Sequence, residues 1–138
     1  MIKLVNRYPV LILIILIALL LAWGCADNPP LETKTGYGTI TATDLQILLA
    51  EDNPPLLLDV REPHEYTAGH IPGSVLIPMG EVLSRLSEIP RDQTVVVVCR
   101  SGNRSGQVAE KLAEQGYTNV LNLQGGVLDW PKPLQPGP

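Results

Sequence analysis

Apolar residues in this chain form short runs, separated by segments rich in proline, glycine and polar residues. The runs at 56–60 and 95–98 are almost entirely apolar, as expected of strands buried on both faces of a sheet. Two further segments, at 74–77 and 119–123, are also predicted to be strands. Helical patterns lie between these runs, and this alternation predicts an α/β fold with a mostly parallel sheet and helices on both faces.

The predicted helices are marked by capping residues and by apolar spacing. Thr43 and the three residues after it have capping-box spacing, which predicts a helix to about Ala50. Apolar residues recur at helical spacing between 81 and 89. Further helical segments are predicted at 63–68 (ended by Gly69), 107–115 (ended by Gly116) and 127–130.

The first 25 residues differ from the rest and resemble an export signal or membrane anchor. Lys3 and Arg7 precede an apolar run at 10–23, which is shorter than the roughly 20 residues that span a bilayer. We expect a tether at 26–38, a domain at 39–130 and a flexible Pro-rich tail at 131–138. The basic amino end predicts that the domain is exported and faces the periplasm or the cell exterior.

Cys25 follows Leu21-Ala22-Trp23-Gly24, and this segment resembles the lipobox of bacterial lipoproteins. The resemblance implies that Cys25 is acylated and attaches the domain to a membrane. Plain cleavage and an uncleaved anchor remain alternatives, because Trp23 is bulkier than usual at its position. If Cys25 is acylated, Cys99 is the one free thiol in the chain.

Charge and ligand spacing exclude several classes of function. The chain is acidic, with a formal net charge of −4, and has no basic run, so nucleic-acid binding is not expected. Two separated histidines and two distant cysteines lack the spacing of metal ligands, so neither a metal nor another cofactor is expected.

The residue with the clearest chemical potential is Cys99, at the carboxyl end of the run at 95–98. A polar loop with Arg100, Gly102 and Arg104 follows it, and the next helical pattern begins soon after. Ligands bind beyond the carboxyl ends of strands in parallel sheets. Loop N–H groups and a helix amino end there would lower the pKa of the thiol and favour the nucleophilic thiolate. The two arginines suit a small anion, although a buried inert thiol and surface-paired arginines are the alternatives.

Other polar residues have structural interpretations. Asp59 and Arg61 follow a predicted strand and are expected to pair with each other in support of the site. His64, beside two glutamates, is expected to be solvated, and His70 to stabilise a turn. We expect Trp130 to pack against the sheet and the two glycines at 125–126 to form a turn.

Four segments in the same order and spacing resemble the rhodanese family. They are 58–66, which begins Leu-Asp-Val-Arg-Glu-Pro, 69–74, 99–105 and 122–130. The resemblance covers about residues 39–130 and implies a single rhodanese-like domain with a five-stranded sheet. Pro131 and Pro133 depart from the longer terminal helix that is usual in the family.

This resemblance implies a sulfurtransferase in which Cys99 carries a persulfide. The expected partners are a small anionic donor such as thiosulfate and a thiol or cyanide acceptor. Arg104 would hold the sulfonate end of the donor. The loop that would bind the substrate comprises Arg100, Ser101, Gly102, Asn103, Arg104 and Ser105.

Two alternatives remain at the level of sequence. A phosphatase or arsenate reductase would also use a cysteine and an arginine, but those phosphatases separate the two by five residues, whereas Cys99 and Arg104 are separated by four. A persulfide carrier or sensor for a partner protein, without turnover of its own, would have the same sequence pattern.

Overall fold

The computed structural model describes residues 36–138, which form a five-stranded parallel sheet with helices on both faces. The strand order is β1-β5-β4-β2-β3. The strands are β1 (Gly38–Ile40), β2 (Leu56–Asp59), β3 (Val75–Leu76), β4 (Val95–Val98) and β5 (Val120–Leu123). The α-helices are α1 (Ala42–Leu48), α2 (Pro63–Ala68) and α3 (Asn103–Glu114), and 3₁₀ turns cover Val82–Ser84, Leu86–Glu88 and Gly126–Asp129. The predicted fold class is confirmed.

The central strand β4 shows why the sheet needs cover on both faces. Its four valines are all buried, and alternate side chains of a strand point to opposite faces. Val95 and Val97 belong to one apolar cluster, together with Val108 and Leu112 of α3. Val96 and Val98 belong to a second cluster, which includes Ala42 and Leu45 of α1.

The start of the domain differs from the sequence prediction. Residues 38–40 form an edge strand, in which Gly38 pairs with Leu121 and Ile40 with Leu123, although the tether was expected to run through residue 38. Helix α1 is capped by Thr41 rather than Thr43, because Thr41 has an extended backbone and its Oγ1 accepts the N–H of Asp44 at 3.2 Å. The helix therefore begins earlier than predicted and ends at Leu48.

The helix predicted at 81–89 is wrong, because this segment forms two separate 3₁₀ turns. Arg85, between them, has φ −119° and ψ 25°, which is not helical. Ile89 is extended, as the residue before a proline usually is. The apolar spacing still serves packing, since Val82 and Ile89 are buried.

Helix α3 begins at Asn103, earlier than the predicted residue 107. Its first turn therefore includes Arg104 and Ser105, which the sequence placed in a loop. The loop after Cys99 is correspondingly short.

The carboxyl-terminal segment, expected to be a flexible tail, makes backbone hydrogen bonds with the domain. His70 N–H donates to Gln135 O at 2.9 Å, and Gln135 N–H donates to His70 O at 2.8 Å. Gly137 N–H donates to Thr67 O at 2.9 Å, and Leu134 packs against the second apolar cluster. The prolines at 131 and 133 end the helical pattern without ending the ordered contacts.

The predicted export signal, the acylation at Cys25 and most of the tether lie outside the described residues. Between residues 36 and 138, no helix has the length and apolar content needed to cross a membrane.

Candidate active site at Cys99

Cys99 directly follows the central strand β4, so its thiol lies at the carboxyl edge of the sheet, where parallel α/β folds bind ligands. The residue is 1% exposed. Helix α3 begins four residues later, and its amino end lies at the same edge.

The Sγ atom of Cys99 accepts hydrogen bonds from the residues that follow it. Gly102 N–H donates to Sγ at 3.1 Å, and the Ser105 hydroxyl donates at 3.2 Å. Burial raises the pKa of the thiol. The Ser105 hydroxyl and the N–H groups of Ser105, Ser101 and Gly102 outweigh burial and lower the pKa below its ordinary value. The arrangement favours a thiolate, which is the nucleophilic form of cysteine.

Gly102 gives the loop the conformation that directs its N–H toward the sulfur. Its φ of +92° lies in the left-handed region, where a Cβ is strained. Asn122, on the adjacent strand β5, donates from Nδ2 to Gly102 O at 3.0 Å. A side chain that the sequence did not single out thus holds this carbonyl in place.

Gly126 supports the loop from the other side. Val127 N–H donates to Cys99 O at 2.9 Å, and Leu128 N–H donates to Arg100 O at 3.1 Å. A Cβ at Gly126 would overlap both of these carbonyl oxygens. The glycines at 125–126 form a turn, as expected. This turn closely approaches the loop that follows Cys99, called the cysteine loop below, and no local sequence signal predicts that approach.

Arg104 forms an ion pair with a residue that the sequence did not identify as its partner. Its Nη1 and Nη2 atoms donate to the two carboxylate oxygens of Glu65 in α2, at 2.7 and 2.8 Å. These bonds lower the pKa of Glu65 to about 2, against the opposing effect of burial. The same contact raises the pKa of Arg104, and the charge of Cys99 acts in the same direction.

Asp59 and Arg61 pair with each other at the end of β2. Their side chains are almost fully buried, and Arg61 Nη2 donates to Asp59 Oδ2 at 2.7 Å and to Gly69 O at 2.9 Å. This pair connects the end of β2 to the end of α2. Breaking a buried pair by removing one partner is strongly destabilising, so the pair has a structural role here.

The remaining candidate residues lie at the mouth of the loop or away from it. Arg100, Ser101 and Asn103 are exposed, and within residues 36–138 the Arg100 side chain makes no ion pair. His64 is exposed in α2. His70 is buried, its ring stacks on Tyr66 at 3.8 Å, and its Nδ1 lies 3.1 Å from Tyr66 O.

Trp130 is half-buried and packs against the second apolar cluster, on the side of the sheet that α1 covers. This placement agrees with the expectation that the residue packs against the sheet.

The chain is similar to known proteins both in sequence and in structure. The sequence model of the rhodanese-like domain matches residues 41–132. The chain is 45% identical over 91 residues to a sulfurtransferase of Allochromatium vinosum, covering 66% of this chain and 85% of that protein. It is 43% identical over 74 residues to a putative sulfur carrier protein, YrkF, of Bacillus subtilis, covering 54% of this chain and 40% of that protein. A rhodanese-like domain protein from Staphylococcus aureus is similar in structure, with a TM-score of 0.69 and 31% identity over 73% of this chain and 99% of that one.

Proposed function

Because this chain belongs to the rhodanese-like domain family, we propose that it is a sulfurtransferase that works through a persulfide on Cys99. It moves sulfane sulfur from thiosulfate or a similar donor to a thiophilic acceptor. One observation carries the proposal: Sγ of Cys99 accepts hydrogen bonds from Gly102 N–H and the Ser105 hydroxyl, which lower the pKa of the thiol.

In the first step, the Cys99 thiolate attacks the outer sulfur of thiosulfate. A sulfur–sulfur bond forms to Cys99 while the sulfur–sulfur bond of the donor breaks, and the electron pair leaves with sulfite. Cys99 then holds a persulfide anion, so charge and atoms balance. The N–H groups that stabilise the thiolate are also suited to an anionic outer sulfur.

In the second step, cyanide or a thiolate attacks the outer sulfur of the persulfide. Thiocyanate or a new persulfide leaves, and the electron pair of the broken bond returns to Cys99 as a thiolate. The two half-reactions share one covalent intermediate and predict ping-pong kinetics.

Arg104 is suited to the oxygen end of the donor. A guanidinium has five N–H donors, and Glu65 takes one from each terminal nitrogen, so three remain for sulfonate oxygens. Arg104 also lies in the first turn of α3, directly after the loop that follows Cys99.

The substitution Cys99→Ser tests the assignment. We expect it to abolish both thiocyanate formation from thiosulfate and cyanide and the mass gain of one sulfur atom after treatment with donor. A serine hydroxyl cannot form the persulfide. Ser84→Ala, at an exposed hydroxyl that donates to Glu81 O, serves as a control with wild-type activity.

Wild-type sulfur transfer by the Cys99→Ser variant would contradict the proposal. In the wild type, a mass gain on Cys99 without turnover would favour the second candidate function, a persulfide carrier. The Bacillus subtilis relative is named as a putative sulfur carrier protein. Hydrolysis of an aryl phosphate in place of sulfur transfer would favour a phosphatase.

We further propose that the domain is exported and attached to a membrane through its amino-terminal segment. The support is the order of basic, apolar and small residues up to Cys25. Intact-mass analysis of the native protein tests this. An acylated chain beginning at Cys25 is expected, and an unprocessed chain recovered in the soluble fraction would contradict the proposal.

A further inference from the structure

Arg104 and Glu65 form a two-pronged ion pair at the edge of the proposed active site. Both terminal nitrogens of the arginine donate to the carboxylate, at 2.7 and 2.8 Å. The two side chains are 33% and 21% exposed, so the pair is partly accessible to solvent and to solutes. Its geometry is the bidentate form that is strongest between arginine and carboxylate.

Glu65 is held in this position by its own helix. Its Oε2 atom also accepts the N–H of Glu62 at 3.0 Å, which closes a capping box at the start of α2. Moving the carboxylate away from Arg104 would break this cap as well as the ion pair. Arg104 lies in the first turn of α3, directly after the loop that follows Cys99, so a donor that reaches this arginine meets a charge that is already compensated.

The ion pair affects hydrogen bonding to a donor's oxygens differently from electrostatic attraction of the donor's charge. Arg104 keeps N–H groups that can bond sulfonyl oxygens. Its positive charge, however, is offset by Glu65, and the other cation of the loop, Arg100, is exposed to solvent. A second negative charge on the donor gains little from such a site, since exposed charges are screened by water and salt.

We propose that Glu65 is a specificity-determining residue that, by compensating the charge of Arg104, removes the advantage that an unpaired arginine would give dianionic sulfane-sulfur donors over monoanionic ones. The proposal rests on the sulfurtransferase function proposed above. It concerns how the site selects among sulfane-sulfur donors by their charge.

Thiosulfate and methanethiosulfonate are a matched pair of probes. Each has an outer sulfur bonded to a sulfonyl sulfur, but thiosulfate carries two negative charges and methanethiosulfonate one. With the second donor, the Cys99 thiolate takes the outer sulfur and methanesulfinate leaves with the electron pair. The same thiolate attacks both donors, so the ratio of their kcat/KM values cancels changes in the reactivity of the thiol.

The test is Glu65→Gln in the otherwise unchanged protein. Glutamine keeps an oxygen acceptor for the cap and for Arg104 and removes the charge. We expect kcat/KM for thiosulfate, relative to methanethiosulfonate, to rise by about three- to tenfold at low ionic strength and to return toward the wild-type ratio in high salt. The pH at which iodoacetamide alkylates Cys99 should move down, because Arg104 then acts on the thiolate without compensation.

Glu88→Gln is the matched control. Glu88 forms a comparable two-pronged pair with Arg85 on an exposed 3₁₀ turn, and both side chains lie outside the proposed site. We expect this variant to keep the wild-type donor ratio.

Two results would overturn the proposal. An unchanged donor ratio in Glu65→Gln would show that the carboxylate does not select by charge. A proportional loss with both donors, with alkylation moved to higher pH, would show that Glu65 only orients Arg104.

The wild-type protein provides a second measurement if the variant does not fold. The donor ratio should stay level or rise as salt increases, because no uncompensated Arg104 charge favours the dianion. A steep fall of the ratio with salt would overturn the proposal. Failure of the parent function is distinguishable, because Cys99 would then gain no sulfur from either donor and both proposals would be rejected together.

Discussion

The protonation state of Cys99 depends on two opposing effects on one atom. Burial favours the neutral thiol, while the Ser105 hydroxyl and three backbone N–H groups favour the thiolate and prevail. These donors are fixed by the first turn of α3 and by the left-handed backbone of Gly102, so they are already oriented before a substrate binds. The same donors suit the persulfide, whose outer sulfur is also anionic.

Ser105→Ala tests the contribution of the hydroxyl. The pKa of Cys99 should rise, and the pH profile of its alkylation should shift to higher pH. At neutral pH we expect persulfide formation to slow by about tenfold, the size expected for one lost hydrogen bond to a charged acceptor. Ser84→Ala, whose hydroxyl bonds only a backbone carbonyl, is the control. A profile that does not move would mean that the backbone N–H groups alone stabilise the thiolate.

At the scale of elements, the cysteine loop is shaped by its neighbours. Strand β5 supplies Asn122, which binds Gly102 O, and the following 3₁₀ turn supplies the N–H groups that bind Cys99 O and Arg100 O. The turn can approach this closely because Gly126 has no side chain. The position of the loop thus depends on a segment more than 20 residues further along the chain.

Gly126→Ala should displace the cysteine loop. The added Cβ overlaps the carbonyls of Cys99 and Arg100, and the residue has φ +59°. We expect a loss of about 2 kcal/mol or more in the free energy of unfolding, together with loss of sulfur transfer. Urea unfolding and the thiocyanate assay measure the two effects.

Gly80→Ala is the control for this change, since a Cβ at Gly80 meets no atom within 4 Å. Wild-type stability and activity in Gly126→Ala would contradict the close approach of the turn.

At the scale of the whole domain, the Glu65–Arg104 pair joins α2 to α3 across 39 positions of the sequence. The pKa of Glu65 falls from 4.5 to about 2 on folding, which makes the folded state the weaker proton binder. The resulting stabilisation is present above the unfolded pKa and is lost as the pH falls toward 2. Partial exposure keeps its size modest.

The pH dependence of unfolding tests this coupling. At pH 6 we expect the wild type to exceed Glu65→Gln by about 1 kcal/mol in the free energy of unfolding. The difference should shrink as the pH falls from 4.5 to 2. Urea unfolding of both proteins at several pH values measures it. A difference that persists at pH 2, or that is absent at pH 6, would contradict the pairing.

An element of the structure can be predicted from the sequence when the residues that cause it to form are neighbours in the chain. The buried strand before Cys99 and the proline-initiated helix α2 have their signals within a few residues. The edge strand β1 has no such signal, because its three residues pair with β5 more than 80 positions away. The 3₁₀ turns at 82–88 were predicted as one helix, since apolar spacing does not register the break at Arg85.

The sequence alone determined the parallel α/β class, the position of the candidate site at the end of a buried strand and the composition of the cysteine loop. These follow from patterns that neighbouring residues set together, such as continuous apolar runs and the short glycine-containing segment before a helix. Only the tertiary structure decided that Glu65 compensates Arg104 and that Gly126 and Asn122 hold the loop. These contacts join residues 20 to 39 positions apart, and their geometry exists only when strands and helices pack against one another.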